Sequence, residues 1–236
     1  YLQASSPNLA TDLARYGSAA VWRGVYYRGE KIGFTVGQTV PTGDGFEIQE
    51  DGRLQMSLLG ATTAATIRTR ADVDASFTLR AFEFSLDPGT GPIEVRGRIT
   101  GRHLSLEVTT AGGTRTESRE LAAPPALSLN LSRVLAHGGL VPGARHQRAV
   151  FDPATLSNAP MTITVGNREL VRSLAVPVPA FRVEMEFAGL RTTSWITDTG
   201  EVVREESPLG LITVRESAES AQAMAVSRRM QVDLLQ

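Results

Sequence analysis

The chain has 236 residues, a length that allows one large β domain or two small ones. Its hydrophobic fraction of 42% and charged fraction of 21% are typical of a globular protein, and a formal net charge of -1 argues against a nucleic-acid partner, which needs a concentrated basic surface. The absence of cysteine excludes disulfides, thiolate nucleophiles and cysteine-ligated metals.

Residues 1–18 are predicted to form an N-terminal helical arm. Ser6 can cap the helix, Pro7 suits its first position, and Gly17 ends it after an apolar stripe. Because the chain starts at Tyr1 and not at a methionine, we expect a signal peptide or a membrane anchor upstream.

Residues 19–121 have a hydrophobic period of two, which predicts a first β meander. Turn sequences such as PTGDG, EDGR and DPGTGP separate the strands and leave no room for crossover helices, so neighbouring strands should pair antiparallel. The predicted strands span residues 22–28, 31–40, 45–50, 54–73, 78–86, 93–100, 104–109 and 114–121.

The alternation also predicts which face of each strand is buried. In the segment AFEFSLD, Phe82 and Phe84 alternate with Glu83 and Ser85, so one face is apolar and the other is polar. A right-handed twist of roughly 20–25° at each strand pair should curl such a sheet around its apolar face. We therefore predict a mainly β fold, in which a curved antiparallel sheet forms a half-barrel or barrel.

A proline-rich and helical connection is predicted at residues 122–145. Two adjacent prolines end the meander, and a short central helix follows at about residues 131–137. Ser128 or Asn130 is the predicted cap of this helix, and the pair of glycines that begins at Gly138 is its predicted stop.

Residues 146–216 return to a period of two and are predicted to form a second β run. Its predicted strands span residues 146–151, 161–165, 168–174, 178–188, 191–197, 201–206 and 209–215. Residues 217–236 contain neither glycine nor proline and are predicted to form a C-terminal helix capped by Ser217. Together with the arm, residues 1–236 are predicted to form a single β domain with short N-terminal, central and C-terminal helices.

The segment YYRGEKIGFTVG contains three glycines spaced four apart and the only lysine of the chain. A phosphate-binding loop needs its lysine after the last glycine and then a helix, whereas Lys31 precedes Gly33 between strand-like flanks. The surrounding charges exclude a membrane-spanning glycine seam. We predict a tight turn at Arg28, Gly29 and Glu30, with glycines that permit a bulge where the strand bends.

The side chains that most often carry catalysis are scattered along the chain. His103, His137 and His146 lack metal-ligand spacing and are predicted to be turn or surface residues. The G-x-S-x-G motif of a serine hydrolase does not occur in the sequence. We therefore predict no catalytic residue, no metal site and no cofactor.

Four carboxylates on neighbouring predicted strands support a different interpretation. They are Glu184, Glu186, Glu205 and Glu206. Glycoside hydrolysis requires a pair of such groups. Facing arginines such as Arg182 and Arg204 instead favour a solvated lattice of ion pairs across the strands. A hydrolase that uses carboxylates between residues 184 and 206 is therefore the less favoured alternative.

Large aromatic side chains are the predicted contact residues. Trp22 and Trp195 can anchor a ligand or a partner because each combines a large apolar area with one hydrogen-bond donor. Phe181 and Phe187 lie on the apolar face of the predicted strand FRVEMEF. These four residues form the predicted ligand or partner contact.

Three segments carry a resemblance to a known family: VWRGVYYRGEKIGF, FDPATLSNAP and TTSWITDTGEVVREESPLGLITVRE. Through them, most of residues 22–216 resembles a β-rich domain of bacterial exported proteins that in some members precedes a transglutaminase-like domain. The resemblance implies a periplasmic or extracytoplasmic location, often with an N-terminal anchor. Because this chain lacks the catalytic cysteine, a transglutaminase-like domain is either absent or lies beyond Gln236.

The layout is also similar to that of the lipoprotein-localisation carriers, whose curved sheet shelters acyl chains. We therefore expect a non-enzymatic extracytoplasmic binding or interaction module. The favoured version is an accessory subunit that docks on a membrane-anchored protein complex. The alternative is a periplasmic carrier that holds a lipid or another amphiphile in its half-barrel.

Overall fold

The computed structural model describes residues 13–58, 61–173 and 176–223, and fourteen strands and two helices lie within these ranges. The strands are β1 (Val21–Tyr27), β2 (Glu30–Pro41), β3 (Gly45–Leu58), β4 (Ala61–Asp74), β5 (Leu79–Asp87), β6 (Ile93–Thr100), β7 (His103–Thr110), β8 (Gly113–Glu120), β9 (Arg145–Asp152), β10 (Ser157–Ser173), β11 (Val176–Phe187), β12 (Leu190–Ile196), β13 (Val202–Glu206) and β14 (Leu211–Glu216). The helices are α1 (Ser128–Ala136) and α2 (Ala218–Gln222).

All of these strands form one antiparallel sheet. Its order is β8-β7-β6-β5-β4-β3-β2-β1-β14-β13-β12-β11-β10-β9, so the two predicted runs are joined where β1 pairs with β14. The sheet stays open between β8 and β9 but curls until these edges approach each other. Ala126 forms a parallel bridge to Val150, and the Arg119 side chain donates a hydrogen bond to the carbonyl of Leu156. The prediction of a curved antiparallel sheet is confirmed.

Two predicted strand boundaries are wrong. The EDGR segment is not a turn, because β3 continues through it to Leu58 and pairs with β4 along this whole length, so that the predicted strand 54–73 is divided between β3 and β4. Asp51 can stay within the strand because its carboxylate accepts hydrogen bonds from Arg15 at 2.6 Å and from Arg68 at 3.0 Å. Residues 161–165 and 168–174 are predicted as separate strands, but residues 161–173 belong to the single strand β10. A bulge after Val165 accommodates the two residues between the predicted strands.

The predicted helices fall partly outside the described residues. Of the N-terminal arm only residues from 13 onward are described, and of the C-terminal helix only those up to 223. Ser217 caps α2 as predicted, since its side chain accepts a hydrogen bond from the Ser220 amide. The predicted cap of α1 is wrong, because the cap residue is Leu127. Asn130 instead accepts a hydrogen bond from the Leu127 amide at 2.8 Å.

Two apolar clusters fill the inside of the curled sheet. The first draws most of its residues from β3 to β7 and includes Phe82, which is 3% exposed and whose ring centroid is 5.5 Å from that of Phe151, a β9 residue of the same cluster. The second lies within β9 to β12 and packs against Leu131 and Leu135 of α1. The predicted alternation is confirmed, because Phe82 and Phe84 are buried while Glu83 faces outward in an ion pair with Arg96.

The glycine-rich segment is the β1–β2 hairpin. Arg28 and Gly29 both have positive φ, at 51° and 81°, as a two-residue turn between twisted strands requires. The strand register shifts after Val25, opposite Gly33. A Cβ atom on Gly33 would lie 1.9 Å from the carbonyl oxygen of Arg53, so only glycine fits there. The predicted turn and bulge are confirmed.

Lys31 forms a buried ion pair that sequence reasoning did not find. Its Nζ atom lies 2.7 Å from Oε2 of Glu216, and the two side chains are only 9% and 13% exposed. Lys31 also donates to the carbonyl of Ser220, and the Tyr26 hydroxyl donates to the other Glu216 oxygen. Burial, together with the hydrogen bond to Glu216, raises the pKa of Tyr26 to about 12. These interactions connect β14 and α2 to the β1–β2 hairpin.

We predict that Lys31→Met lowers the free energy of unfolding by about 3 kcal/mol, because it leaves the Glu216 carboxylate buried without its cation. Urea unfolding monitored by circular dichroism measures the change. Arg96→Met is the matched control, because it removes an exposed ion pair in which Nη1 of Arg96 lies 3.5 Å from Oε1 of Glu107. This variant should lose at most about 1 kcal/mol of the free energy of unfolding. Equal losses in the two variants would contradict the role assigned to Lys31.

Candidate functional site

A cavity of about 230 Å³ that is lined by both apolar and charged side chains lies inside the curled sheet, against α1. Its walls come from β1, β2, β3, β13 and β14, from α1, and from the turn between β12 and β13. The polar side chains on which its chemistry depends are Arg23, Glu50, Ser132, Arg133, Glu201 and Glu205. Charged groups therefore occupy the middle of an interior that is otherwise apolar.

Strand alternation turns these side chains inward. On β1, Arg23 lies between Val21 and Val25 on the inner face, and it pairs directly with Thr35 on one side and Arg215 on the other. Directly paired residues share a face of the sheet. The cavity-facing row thus runs across β14, β1 and β2.

Two arginines are held by the same short segment, the turn after β12. The Arg23 Nε atom donates to the Val202 carbonyl at 2.9 Å, and the Arg133 Nη1 atom donates to the Thr199 carbonyl at 2.7 Å. Gly200, with φ of +84°, allows this turn to approach α1, since a Cβ there would lie 3.0 Å from the Arg133 Cα. A strand and a helix therefore both place a guanidinium beside residues 199–202.

The charges at this end of the cavity act on one another. Burial lowers the pKa of Arg133, and the positive charge of Arg23 lowers it further, while Glu201 opposes both effects. The Glu201 Oε1 atom lies 2.9 Å from Nη1 of Arg215, yet no described residue donates a well-aligned hydrogen bond to it. The positive charges are only partly neutralised by their neighbours.

Carboxylates occupy the other side of the cavity. The Glu50 Oε2 atom is 4.0 Å from Nη1 of Arg23, beyond hydrogen-bond distance. The Glu50 side chain is 37% exposed because it borders the cavity, but the surrounding protein atoms still desolvate its carboxylate. Burial raises the pKa of Glu50, Arg23 opposes the rise, and the carboxylates of Glu205 and Asp51 add to it. Glu205 accepts a hydrogen bond from the buried Ser194 hydroxyl at 2.8 Å.

The pKa of Glu50 predicts how stability depends on pH. Because this pKa is raised above its ordinary value of 4.5, the folded state holds the proton more tightly than the unfolded state does. The resulting stability is fully present below pH 4.5 and is lost as the pH rises through the folded-state pKa. Glu50→Gln should remove this loss, so that the variant gains stability relative to the wild type as the pH rises.

Thermal unfolding of both proteins over a pH series measures the difference. Glu206→Gln serves as the control, because Glu206 lies on the outer face in a pair with Arg204 at 2.7 Å. A constant stability difference between Glu50→Gln and the wild type across the series would contradict the assignment.

The four predicted contact residues do not meet at one site. Phe181 is 7% exposed and shares the second apolar cluster with Phe187, which is partly buried. Trp22 lies on the outer face of β1 against Phe34, with ring centroids 5.9 Å apart. Trp195 lies on the outer face of β12, where its Nε1 atom donates to Glu169 at 2.9 Å. The tryptophans and phenylalanines thus lie on opposite faces of the sheet.

The carboxylates considered for hydrolysis are also divided between the two faces. Neighbouring residues of a strand point to opposite sides, so Glu205 faces the cavity while Glu206 faces outward. Glu184 pairs with Arg182 at 2.7 Å, and Glu186 lies 3.6 Å from Arg191. The outward carboxylates form the ion-pair lattice that was the favoured interpretation, although most of its pairs lie along one strand.

The histidines take part in local contacts. The His137 ring lies 5.6 Å from that of Phe77, and the His146 Nε2 atom is 2.9 Å from the Gly139 carbonyl oxygen. Within the described ranges, no group of three or more His, Asp and Glu side chains is arranged to hold a metal ion. In the same part of the chain, no helix has the length and apolarity to cross a membrane.

Sequence reasoning missed the residues that form the cavity. Arg23 and Glu50 each interrupt an apolar face, and such a charge on an inward position was the available signal. Arg133 had no comparable signal, because the orientation of a short helix depends on what it packs against.

The comparisons with known proteins concern the fold. No family model and no curated protein matches the chain. It is similar to the crystal structure of a β-barrel-like protein of domain of unknown function DUF1849 from Brucella abortus, with 11% identity, a TM-score of 0.62, and coverage of 84% of this chain and 96% of that one. It is also similar to a DUF1089 family protein from Pseudomonas aeruginosa, with 14% identity, a TM-score of 0.44, and coverage of 72% and 87%.

The first of these similarities shows a shared fold. A TM-score of 0.62 over most of both chains means that the two proteins share a β-barrel-like fold. The chain is therefore a β-rich domain with a curled, barrel-like antiparallel sheet. Its function has to be inferred from the cavity.

Proposed function

We propose that the protein is a non-enzymatic binding module that holds a small polar ligand in the cavity beside α1. The observation that carries this proposal is the set of incompletely paired charges inside the sheet, above all Arg23 and Glu50 at 4.0 Å. Keeping charges in an interior costs free energy unless they are well paired. Charged groups with shifted pKa values around a cavity are a common property of functional sites.

The size of the cavity and the charged side chains that line it define the ligand class. Its volume of about 230 Å³ far exceeds the roughly 10–15 Å³ needed for one water, and lies just below the roughly 300 Å³ of the smallest typical ligand pockets. The apolar parts of the interior are filled by the protein's own side chains. These properties favour a small polar molecule over the acyl chain of the carrier alternative.

The division of the carboxylates supports binding over hydrolysis. Glu184, Glu186 and Glu206 are engaged in ion pairs on the outer face. Of the four carboxylates considered, only Glu205 borders the cavity, and it accepts a hydrogen bond from Ser194. The inner groups are suited to hold a charged ligand.

A ligand-binding screen tests the proposal. Amino acids, hydroxy acids, monosaccharides, polyamines and fatty acids are added to the protein, and thermal unfolding is recorded. A polar probe at a hundredfold excess over its Kd should add about 2.7 kcal/mol to the free energy of unfolding. Ser132→Leu, which fills the cavity with apolar volume, should abolish the gain.

Ser105→Leu is the control, because Ser105 is exposed on the outer face of β7, and it should keep the full gain. Stabilisation by fatty acids alone, or by no probe, would contradict the proposal. A gain that survives in Ser132→Leu would contradict the assignment of the site.

We also propose that the module acts outside the cytoplasm, docked on a membrane-anchored protein complex. The resemblance to the domain of exported proteins supports this location. Leu170, which is 75% exposed on the β10–β11 hairpin, offers an apolar side chain to such a partner.

Cross-linking in the native cells, followed by fractionation of membranes, tests the docking. The tagged protein should be recovered with one membrane-anchored protein in a stoichiometric complex, and Leu170→Glu should reduce that recovery at least tenfold, since burying a charge is costly. Leu209→Glu is the control, because Leu209 is equally exposed, at 72%, in a different turn. Recovery of the protein in the cytosol, or equal losses in both variants, would contradict the proposal.

A further inference from the structure

Charged side chains of both signs line the cavity, and we call Arg23 with Arg133 the arginine pole and Glu50 with Glu205 the carboxylate pole. Arg23 and Arg133 both donate hydrogen bonds to carbonyls of residues 199–202, and the Glu201 carboxylate also borders this end. Glu50 and Glu205, from β3 and β13, bring carboxylates to the same space. A ligand in this cavity therefore meets both guanidiniums and carboxylates, and the closest atoms of Arg23 and Glu50 are 4.0 Å apart.

The arginine pole has hydrogen-bonding capacity to spare. A guanidinium carries five N–H donors, whereas the described bonds of Arg23 and Arg133 each use one of them on a backbone carbonyl. The Arg23 Nη1 atom stops 4.0 Å short of the nearest Glu50 oxygen. An anion placed between two guanidiniums beside one turn lowers the repulsion between their positive charges. A carboxylate is suited to this position because its two oxygens match the forked N–H donors of a guanidinium.

The carboxylate pole is the complement. Glu205 receives a neutral hydrogen bond from Ser194, and Glu50 has Arg23 as its nearest cation at 4.0 Å. The negative charges of Glu205 and Asp51 also disfavour ionised Glu50. A cationic group on the ligand would relieve this repulsion, and an ammonium group supplies three donors for the carboxylate oxygens.

We propose that the cavity binds a small zwitterion of amino-acid size, with its carboxylate between Arg23 and Arg133 and its ammonium group facing Glu50 and Glu205. This inference rests on the proposed function and names its ligand class. The volume of about 230 Å³ excludes long peptides, and the two poles disfavour ligands of a single charge. Binding is tighter than for either half of the ligand because both poles are neutralised together.

Isothermal titration with matched probes tests this inference on the full chain. The probes are aminobutyrate, butyrate and butylamine, which share a chain length but differ in charge, together with a panel of α-amino acids. A zwitterion should bind at least about tenfold more tightly than either singly charged probe, the equivalent of one charge-assisted hydrogen bond. Arg23→Gln should remove the advantage over butylamine, and Glu50→Gln should remove the advantage over butyrate.

Arg96→Gln, on the outer face, should leave every affinity unchanged. Zwitterion binding within twofold of that of a singly charged probe would overturn the inference, and so would an unchanged preference in both cavity variants. If hydroxy acids or sugars bind and Ser132→Leu blocks them, the inference fails while the proposed function stands. If no polar probe binds, both fail.

Discussion

The pairing of β1 with β14 is the contact on which the rest of the structure depends. It joins a run of eight strands to a run of six, and it places Arg23 directly beside Arg215 across strands that lie almost the whole chain apart. The buried pair of Lys31 and Glu216 reinforces the same junction from the outer face. Without this junction, the two halves would be separate curved sheets and no cavity would form between them.

The interior combines two kinds of packing. Apolar clusters on either side give the sheet its stability, and helix α1 covers the opening with Leu131 and Leu135. The charged middle works against that stability, as the raised pKa of Glu50 and the lowered pKa of Arg133 indicate. Proteins often retain such unfavourable interior groups where they bind ligands, because the groups are satisfied only when the ligand is present.

Prediction from sequence succeeded where the information is local. The alternation of Phe82 with Glu83 was enough to assign inner and outer faces, because side chains alternate along any strand. The turn at Arg28 and Gly29 followed from backbone preference. Prediction failed at Asp51, where turn-like residues stay within β3 because distant side chains bind the carboxylate. The sequence also did not indicate that Trp22 and Phe181 lie on opposite faces of the sheet.

The sequence by itself therefore determined the class of fold, the inward and outward faces, and the hairpin turns, because each depends on neighbouring residues and backbone preference. Only the tertiary structure decided the pairing of β1 with β14, the position of α1 and the cavity. The hydrogen bond from Arg23 to the Val202 carbonyl spans 179 residues. Such contacts depend on how the accumulated twist of the whole sheet brings distant strands together, and no local pattern encodes that distance.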